Sequence, residues 1–300
     1  MRNGKGKPAG LTVATCVVAV VVAAFAVNDH AAHGAAAAGA GADKTRYTLF
    51  NPTPREQMRE FSTDRPDVTE SPITVDAGHF QVELSLVEYT HDEDQGAELD
   101  EFVVMPSNFK VGLLNNVDLQ LVVEPYVHQR FRANGDSASA DGFGATQLRV
   151  KVNLWGNEGD GTTALAIMPF VQFPTADAEI GGVDDVEGGV AIPLSVKLPH
   201  EWDLGLMAEV DFLRDVNDEG YGTSFLHTAS LSHTIAGELR GYVEYAGFAN
   251  HNLGVGYIPI AGGGVTYGIG DDVQLDAAMY FGLNDDADDF TARIGVSFRI

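Results

Sequence analysis

The last eleven residues of the chain, Phe290 to Ile300, alternate without a break between two kinds of side chain. Phe290, Ala292, Ile294, Val296, Phe298 and Ile300 fall on one face, and Thr291, Arg293, Gly295, Ser297 and Arg299 on the other. A period of two over that length is a β-strand with one apolar face. Two arginines on the opposite face require water there. Such a strand, ending the chain of an exported protein, predicts a transmembrane β-barrel.

Export is read from the other end. Arg2, Lys5 and Lys7 precede an uncharged apolar run from Leu11 to Val27, and small residues dominate from Ala31 to Ala42. That order is the pattern of a secretory signal peptide, with cleavage expected between Ala26 and Ala42. A membrane anchor fits less well, because the run is marginal for a spanning helix and ends in small rather than basic residues. The predicted organisation is a signal peptide over 1–42, a periplasmic or lumenal extension over 43–77, and a barrel over 78–300. Cys16 is the only cysteine. The mature chain is therefore expected to lack disulfides, thiol nucleophiles and cysteine metal sites.

The formal net charge is −25. Phosphate would be repelled, so nucleic acid is excluded as an electrostatic partner. The acid lies in short runs (91–94, 184–187, 215–219 and 284–289) that read as solvated loops. The histidines show no ligand spacing, and neither a metal nor a cofactor is expected. Mean hydropathy is near zero. That excludes a helical membrane protein but suits a barrel, in which half of each strand is polar.

Residues 44–77 differ from the rest. Thr53-Pro54-Arg55-Glu56 has the form of a helix start, predicting a short helix from Pro54 to Phe61. Residues 62–72 hold two prolines and no period, and read as extended and ordered. From Gly78 onward twelve period-two segments follow, near 78–90, 101–114, 117–131, 144–156, 162–174, 188–199, 203–215, 222–235, 238–248, 255–268, 272–282 and 289–300. Short gaps alternate with long ones at 91–100, 132–143 and 175–187, as in an up-and-down barrel with tight periplasmic turns and longer external loops. The even count puts both barrel ends in the periplasm.

Phe131, Phe173, Phe212, Phe225, Tyr245, Phe281 and Phe290 each lie on the apolar parity of their strand, near its external end. Aromatics at one height predict an interfacial girdle. Pro106, Pro125, Pro169, Pro193 and Pro259 lie within strands and are expected to mark bulges. His227 and His233 fall on the apolar parity of the eighth strand, which argues for a register change there.

The opposite parity supplies the lumen candidates: Glu83, Lys110, Glu124, His128, Arg149, Lys151, Glu209, Asp211, Arg240, Glu244, Asp276 and Arg293. Twelve strands about 4.8 Å apart and tilted about 40° give a backbone radius of roughly 12 Å, so the lumen is narrow. Charges of both signs fit a constricted pore, or a closed interior held by ion pairs. The extension can thread into this space as a plug, with Asp64, Arg65, Asp67 and Glu70 as its candidates and Glu124 or Glu209 as expected partners of Arg65. A nucleophilic enzyme would need Ser232 beside His227 or His233, and the parities oppose that.

Arg59 to Glu83, with Thr63-Asp64-Arg65-Pro66 at its centre, resembles the opening motif of the outer-membrane barrel family named for a phenol-degradation (meta) pathway. Lys110 to Gln120 resembles that family's first periplasmic hairpin. The resemblance covers nearly the whole mature chain. It implies passage of hydrophobic or aromatic compounds and brings no catalytic residues. The family usually ends in an aromatic residue, and this chain ends in Ile300. The combined expectation is a non-enzymatic outer-membrane channel for a small solute, hydrophobic or aromatic in character. Its expected partners are membrane lipid, lipopolysaccharide and the barrel-assembly machinery. The alternative is a non-conducting structural or adhesion barrel with acidic loops.

Overall fold

In a computed structural model the described residues are 43–215, 220–251 and 256–300. The predicted signal peptide and part of the 215–219 acidic run lie outside them. The strands are β1 (Phe80–Asp94), β2 (Ala97–Val104), β3 (Ser107–Leu114), β4 (Val117–Val123), β5 (Tyr126–Ala133), β6 (Asp136–Gly142), β7 (Thr146–Trp155) and β8 (Thr163–Phe173). They continue as β9 (Glu187–Lys197), β10 (Trp202–Arg214), β11 (Tyr221–Ala236), β12 (Leu239–His251), β13 (Tyr257–Ile269), β14 (Val273–Gly282) and β15 (Phe290–Arg299). All pair antiparallel with their neighbours, and β15 pairs with β1 to close the sheet. Closure leaves no free edge, which is what a sheet surrounded by lipid requires.

The fifteen strands form twelve staves. β2 continues as β3, β4 as β5 and β6 as β7. In the wall β3 pairs with β1 and β4, and β4 with β7. Above them β2 pairs with β1 and β5, and β5 with β6. The three breaks fall at Met105-Pro106, Glu124-Pro125 and 143–145, beside a bulge at Ser85/Val87 in β1. Proline removes a ladder donor, and Met105 takes a left-handed φ of 56° at the first break. The row still closes through Ser85 N–H donating to the Pro106 carbonyl (3.0 Å) and Gly144 N–H to the Glu124 carbonyl (2.8 Å).

These breaks correct several expectations. Residues 91–100 and 132–143 are not loops. They form hairpins turned by Gln95-Gly96 and Asn134-Gly135, all with positive φ, as two-residue hairpin turns demand. The Glu124-Pro125 break also shifts the alternation, so Val127 is buried on the inner side. His128 instead lies beside Phe102 on the outer side, the rings tilted by 40°, where it meets Asp141. His128 is therefore not a lumen residue. Phe131, opposite Leu99, belongs to the inner face and not to the girdle. Pro169, Pro193 and Pro259 mark no bulge: the pairings on either side of each keep one register. The helix expected over 54–61 is a single 3-10 turn, Arg55–Gln57. It stops because Met58 is extended and the Arg59 N–H goes to Asp76 instead.

The alternation otherwise holds. Phe173, Phe212, Phe225 and Phe281 are exposed on the outer surface near the loop ends, and Phe290 packs with Phe281 and Tyr89. Trp155, Trp202 and Tyr267 form a second exposed aromatic group near the opposite, turn-side rim, as expected of an apolar belt bounded at both interfaces. β11 keeps one register from Tyr221 through His233, and its only shift against β12 falls later, at Thr234/Ala236. His227 and His233 do face outward, each within aromatic cover. His227 stacks between Phe225 and Tyr257 and hydrogen-bonds the Tyr257 hydroxyl (3.0 Å). His233 packs on Trp202 and reaches the His200 carbonyl. Pairing one ring nitrogen with tyrosine or backbone lowers the cost of an outward imidazole, although His227 Nδ1 stays buried without a partner.

Candidate functional site: the occupied lumen

Residues 59–77 lie inside the barrel. An extended segment has backbone N–H groups with no ladder to join, and buried donors must find acceptors. The wall supplies carboxylates. The Asp64 N–H donates to Glu83 (3.0 Å), the N–H groups of Val68 and Thr69 to the two oxygens of Glu244 (2.9 and 2.8 Å), and the Val75 N–H to Asp118 (3.0 Å). Asn153 donates to the Pro72 carbonyl (2.8 Å). Each of these wall residues stands on the inner parity of its strand, which is why a period-two sequence presents them all to one segment.

Side chains lock the register. The Asp64 carboxylate accepts twice from Lys151 (2.7 and 2.8 Å), once from Lys110, and once from the Ser71 N–H (2.9 Å). Lys110 also donates to Glu83. Arg65 pairs with Asp276 (2.8 Å) and lies 3.5 Å from Glu88, so neither Glu124 nor Glu209 is its partner. Glu70 pairs with Arg149 (2.7 Å). Arg59 donates to the Thr74 and Asn115 carbonyls and to Glu158 of the β7–β8 turn (2.9 Å). At the base the segment touches β3 so closely that a Cβ on Gly112 would sit 2.1 Å from the Asp76 carbonyl oxygen. Buried pairs of this kind contribute little net stability against an apolar alternative, but breaking one is costly. They therefore fix where the segment sits.

Two cavities flank the segment. The outer one, on the loop side, is about 480 Å³, and the inner one, on the turn side, is about 460 Å³. Asp67 and Glu70 line both, so the segment itself is the partition. Of the twelve predicted lumen residues, Glu83, Lys110, Lys151, Glu244, Asp276 and Arg149 grip the segment. Glu209 and Arg293 line the outer cavity, and Arg240, paired with Asp203 (2.6 Å), lines the inner one. Asp211 is buried beside Gly189, and Glu124 accepts from the Ala145 N–H at the kink row. Only His128 lies outside. Ser232 faces the lumen with Arg240 while His233 lies outside on Trp202, so the two do not meet.

The sequence reading missed the apolar part of the lumen. Met168, Ala191, Met207, Leu226 and Ala246 form a buried cluster, with Val68, Phe248 and Ile260 packed on it. All wall members occupy the parity that carries charge elsewhere, and that coincidence across five adjacent strands was the available signal.

Residues 63–300 match the family model described as "Putative MetA-pathway of phenol degradation". The chain belongs to this family. Among solved structures it is similar to an outer membrane channel from Pseudomonas putida F1. The two are 12% identical with a TM-score of 0.55, over 80% of this chain and 100% of that one. That likeness establishes the shared barrel fold. The NanC porin aligns with a TM-score of 0.48 at 10% identity, over 74% of this chain and 100% of that one. The translocator domain of the autotransporter NalP from Neisseria meningitidis aligns at 0.47 and 13% identity, over 79% of this chain and 90% of that one. No curated protein matches the chain.

Proposed function

We propose that this family member is a passive outer-membrane channel whose lumen is shut by its own N-terminal segment and that admits a small apolar or aromatic solute. The observation that carries the reading is the partition: the segment stands between two lumenal cavities of similar size, with Asp67 and Glu70 lining both. The apolar cluster in the outer cavity supports a solute with a hydrophobic body. The aromatic belts support residence in a bilayer, and an exported chain of this architecture belongs in the outer membrane, meeting lipid and lipopolysaccharide outside and the assembly machinery during insertion. Transport needs no bond chemistry from the wall.

A second reading, a non-conducting structural barrel, is favoured by the density of ion pairs across the lumen. Deleting residues 47–75 and recording single channels in planar bilayers separates the two. The channel reading expects conductance to rise severalfold, and unchanged conductance overturns it.

A further inference from the structure

The outer cavity contains one side chain whose chemistry is incomplete. Arg293 on β15 forms no hydrogen bond and no ion pair among the described residues, and its Nε is buried without a partner. Its guanidinium carbon lies 5.3 Å from the centre of the Tyr280 ring, and Glu88 across the strand pair acts on it only through space. Arg149, in the same cavity, differs. It lies over Phe170 but spends its donors on Gln147 and Glu70. A guanidinium does not deprotonate, so a sequestered one calls for an acceptor.

The carboxylates around Arg293 do not supply that acceptor. Glu88, the cross-strand neighbour of Arg293, turns its Oε1 to Ser85 and Arg65 and forms no hydrogen bond or ion pair with Arg293. Glu70 binds Arg149 through Oε1, and its buried Oε2 reaches no donor. Tyr280 turns its hydroxyl away, donating to Glu244 (2.6 Å). Across the cavity from the cation stands the apolar wall of Met168, Met207, Leu226, Phe248 and Ile260. Asp67, Glu209 and Asp288 also line the space and form no ion pair among the described residues, which disfavours a ligand with a second negative charge.

We infer that the outer cavity is a binding site for a monoanion with an apolar body, such as an aromatic monocarboxylate, whose charged head is taken by Arg293 and whose body lies on the methionine–leucine–phenylalanine wall. About 480 Å³ is within the range of small-ligand sites. The site deepens the permeation reading, because it lies on the path just outside the partition. Binding is measured in detergent without any conductance, so the two readings fail separately.

The test uses the full mature protein in micelles and equilibrium dialysis with three probes sharing one ring: benzoate, benzyl alcohol and benzylamine, each corrected against protein-free micelles. Saturable one-site binding of benzoate is expected, at least tenfold tighter than either of the others. Arg293→Gln is expected to weaken benzoate at least tenfold and Arg293→Lys by less. Arg130→Gln, on the exposed outer side of β5, is expected to leave it unchanged. Equal or tighter binding of benzylamine to the unmodified protein overturns the inference, whatever the folding of the variants. So does undiminished benzoate binding by Arg293→Gln.

Discussion

Asp64→Asn is the sharpest perturbation of the partition. The Asp64 carboxylate takes two bonds from Lys151 and one from Lys110. Lys110 keeps Glu83 after the change. Lys151 does not fare as well: its next carboxylate oxygen, Glu70 Oε2, stands 3.9 Å away, beyond hydrogen-bond reach, while Oε1 of the same group holds Arg149. The docked segment would therefore hold one buried lysine without a bonded counter-ion. Breaking a buried pair costs about 3–5 kcal/mol, and because Lys110 stays paired the lower end applies. When the segment leaves, Lys151 meets water and the cost disappears, so the whole effect falls on the docked state. About 3 kcal/mol corresponds to roughly a hundredfold shift toward the open state at 1.36 kcal/mol per decade. Single-channel recording reads this as open fraction. Asp136→Asn, at an exposed hairpin tip, serves as the control and should behave as wild type. Adding Lys151→Met to Asp64→Asn should return most of the closure, since the orphaned charge is gone. An open fraction for Asp64→Asn within threefold of wild type would show that this cluster does not hold the segment.

Other outcomes follow from the same geometry. Burial alone would raise the Glu158 carboxyl, but Arg59 and Lys44 beside it hold it below the ordinary carboxylate range. A depressed acid stabilises docking above its free value, about 4.3, and loses that contribution as pH falls through the folded value. A fluorophore at position 50 (through Phe50→Cys) should keep constant anisotropy from pH 8 to 5 and loosen below about pH 4, with Glu158→Gln removing the transition. Loosening between pH 5 and 8 would contradict it. Gly112→Ala places a Cβ against the Asp76 carbonyl, so hydrogen exchange at the Val75 and Gly78 amides should accelerate at least tenfold, and unchanged protection would contradict the close approach. Ile294→Arg puts a charge on the exposed outer face of β15 and should destabilise the barrel by about 2–4 kcal/mol in urea refolding into vesicles if that position is near the bilayer midplane. No change would place it away from lipid.

Much of this was legible in the sequence, because side-chain parity is a local property. Twelve staves, the outward phenylalanines on β8, β10, β11, β14 and β15, and the inner parity of wall residues such as Glu83, Lys151 and Glu244 follow from period two alone. Failures came where a break reset the period. Tyr126 to Arg132 alternates plausibly in either phase, so only the kink at Glu124-Pro125 decides that His128 faces outward. The prolines at 106 and 125 were visible, yet prolines at 169, 193 and 259 sit in unbroken register, and sequence offered nothing to tell the two kinds apart. Asn134-Gly135 was a hairpin signal that outweighed the length of the polar gap around it. Partner choice was the least legible. Arg65 meets Asp276 across 211 positions of sequence, and which of many inner carboxylates it reaches depends on the height of the docked segment. The apolar lumen wall was hidden for a related reason: Met168 and Leu226 on a wet parity look like exceptions until five strands bring them together.

The most direct test is a cysteine scan of β15 in lipid vesicles, with an environment-sensitive fluorophore at each position from 290 to 299 in a mature background without other cysteines. Labels at 290, 292, 294, 296 and 298 should report hydrocarbon and be quenched by spin-labelled lipid, while those at 291, 293, 295, 297 and 299 should not. A scan with no two-residue period, or one in which the 293 and 297 labels are the lipid-quenched set, would contradict a barrel with its arginines turned inward.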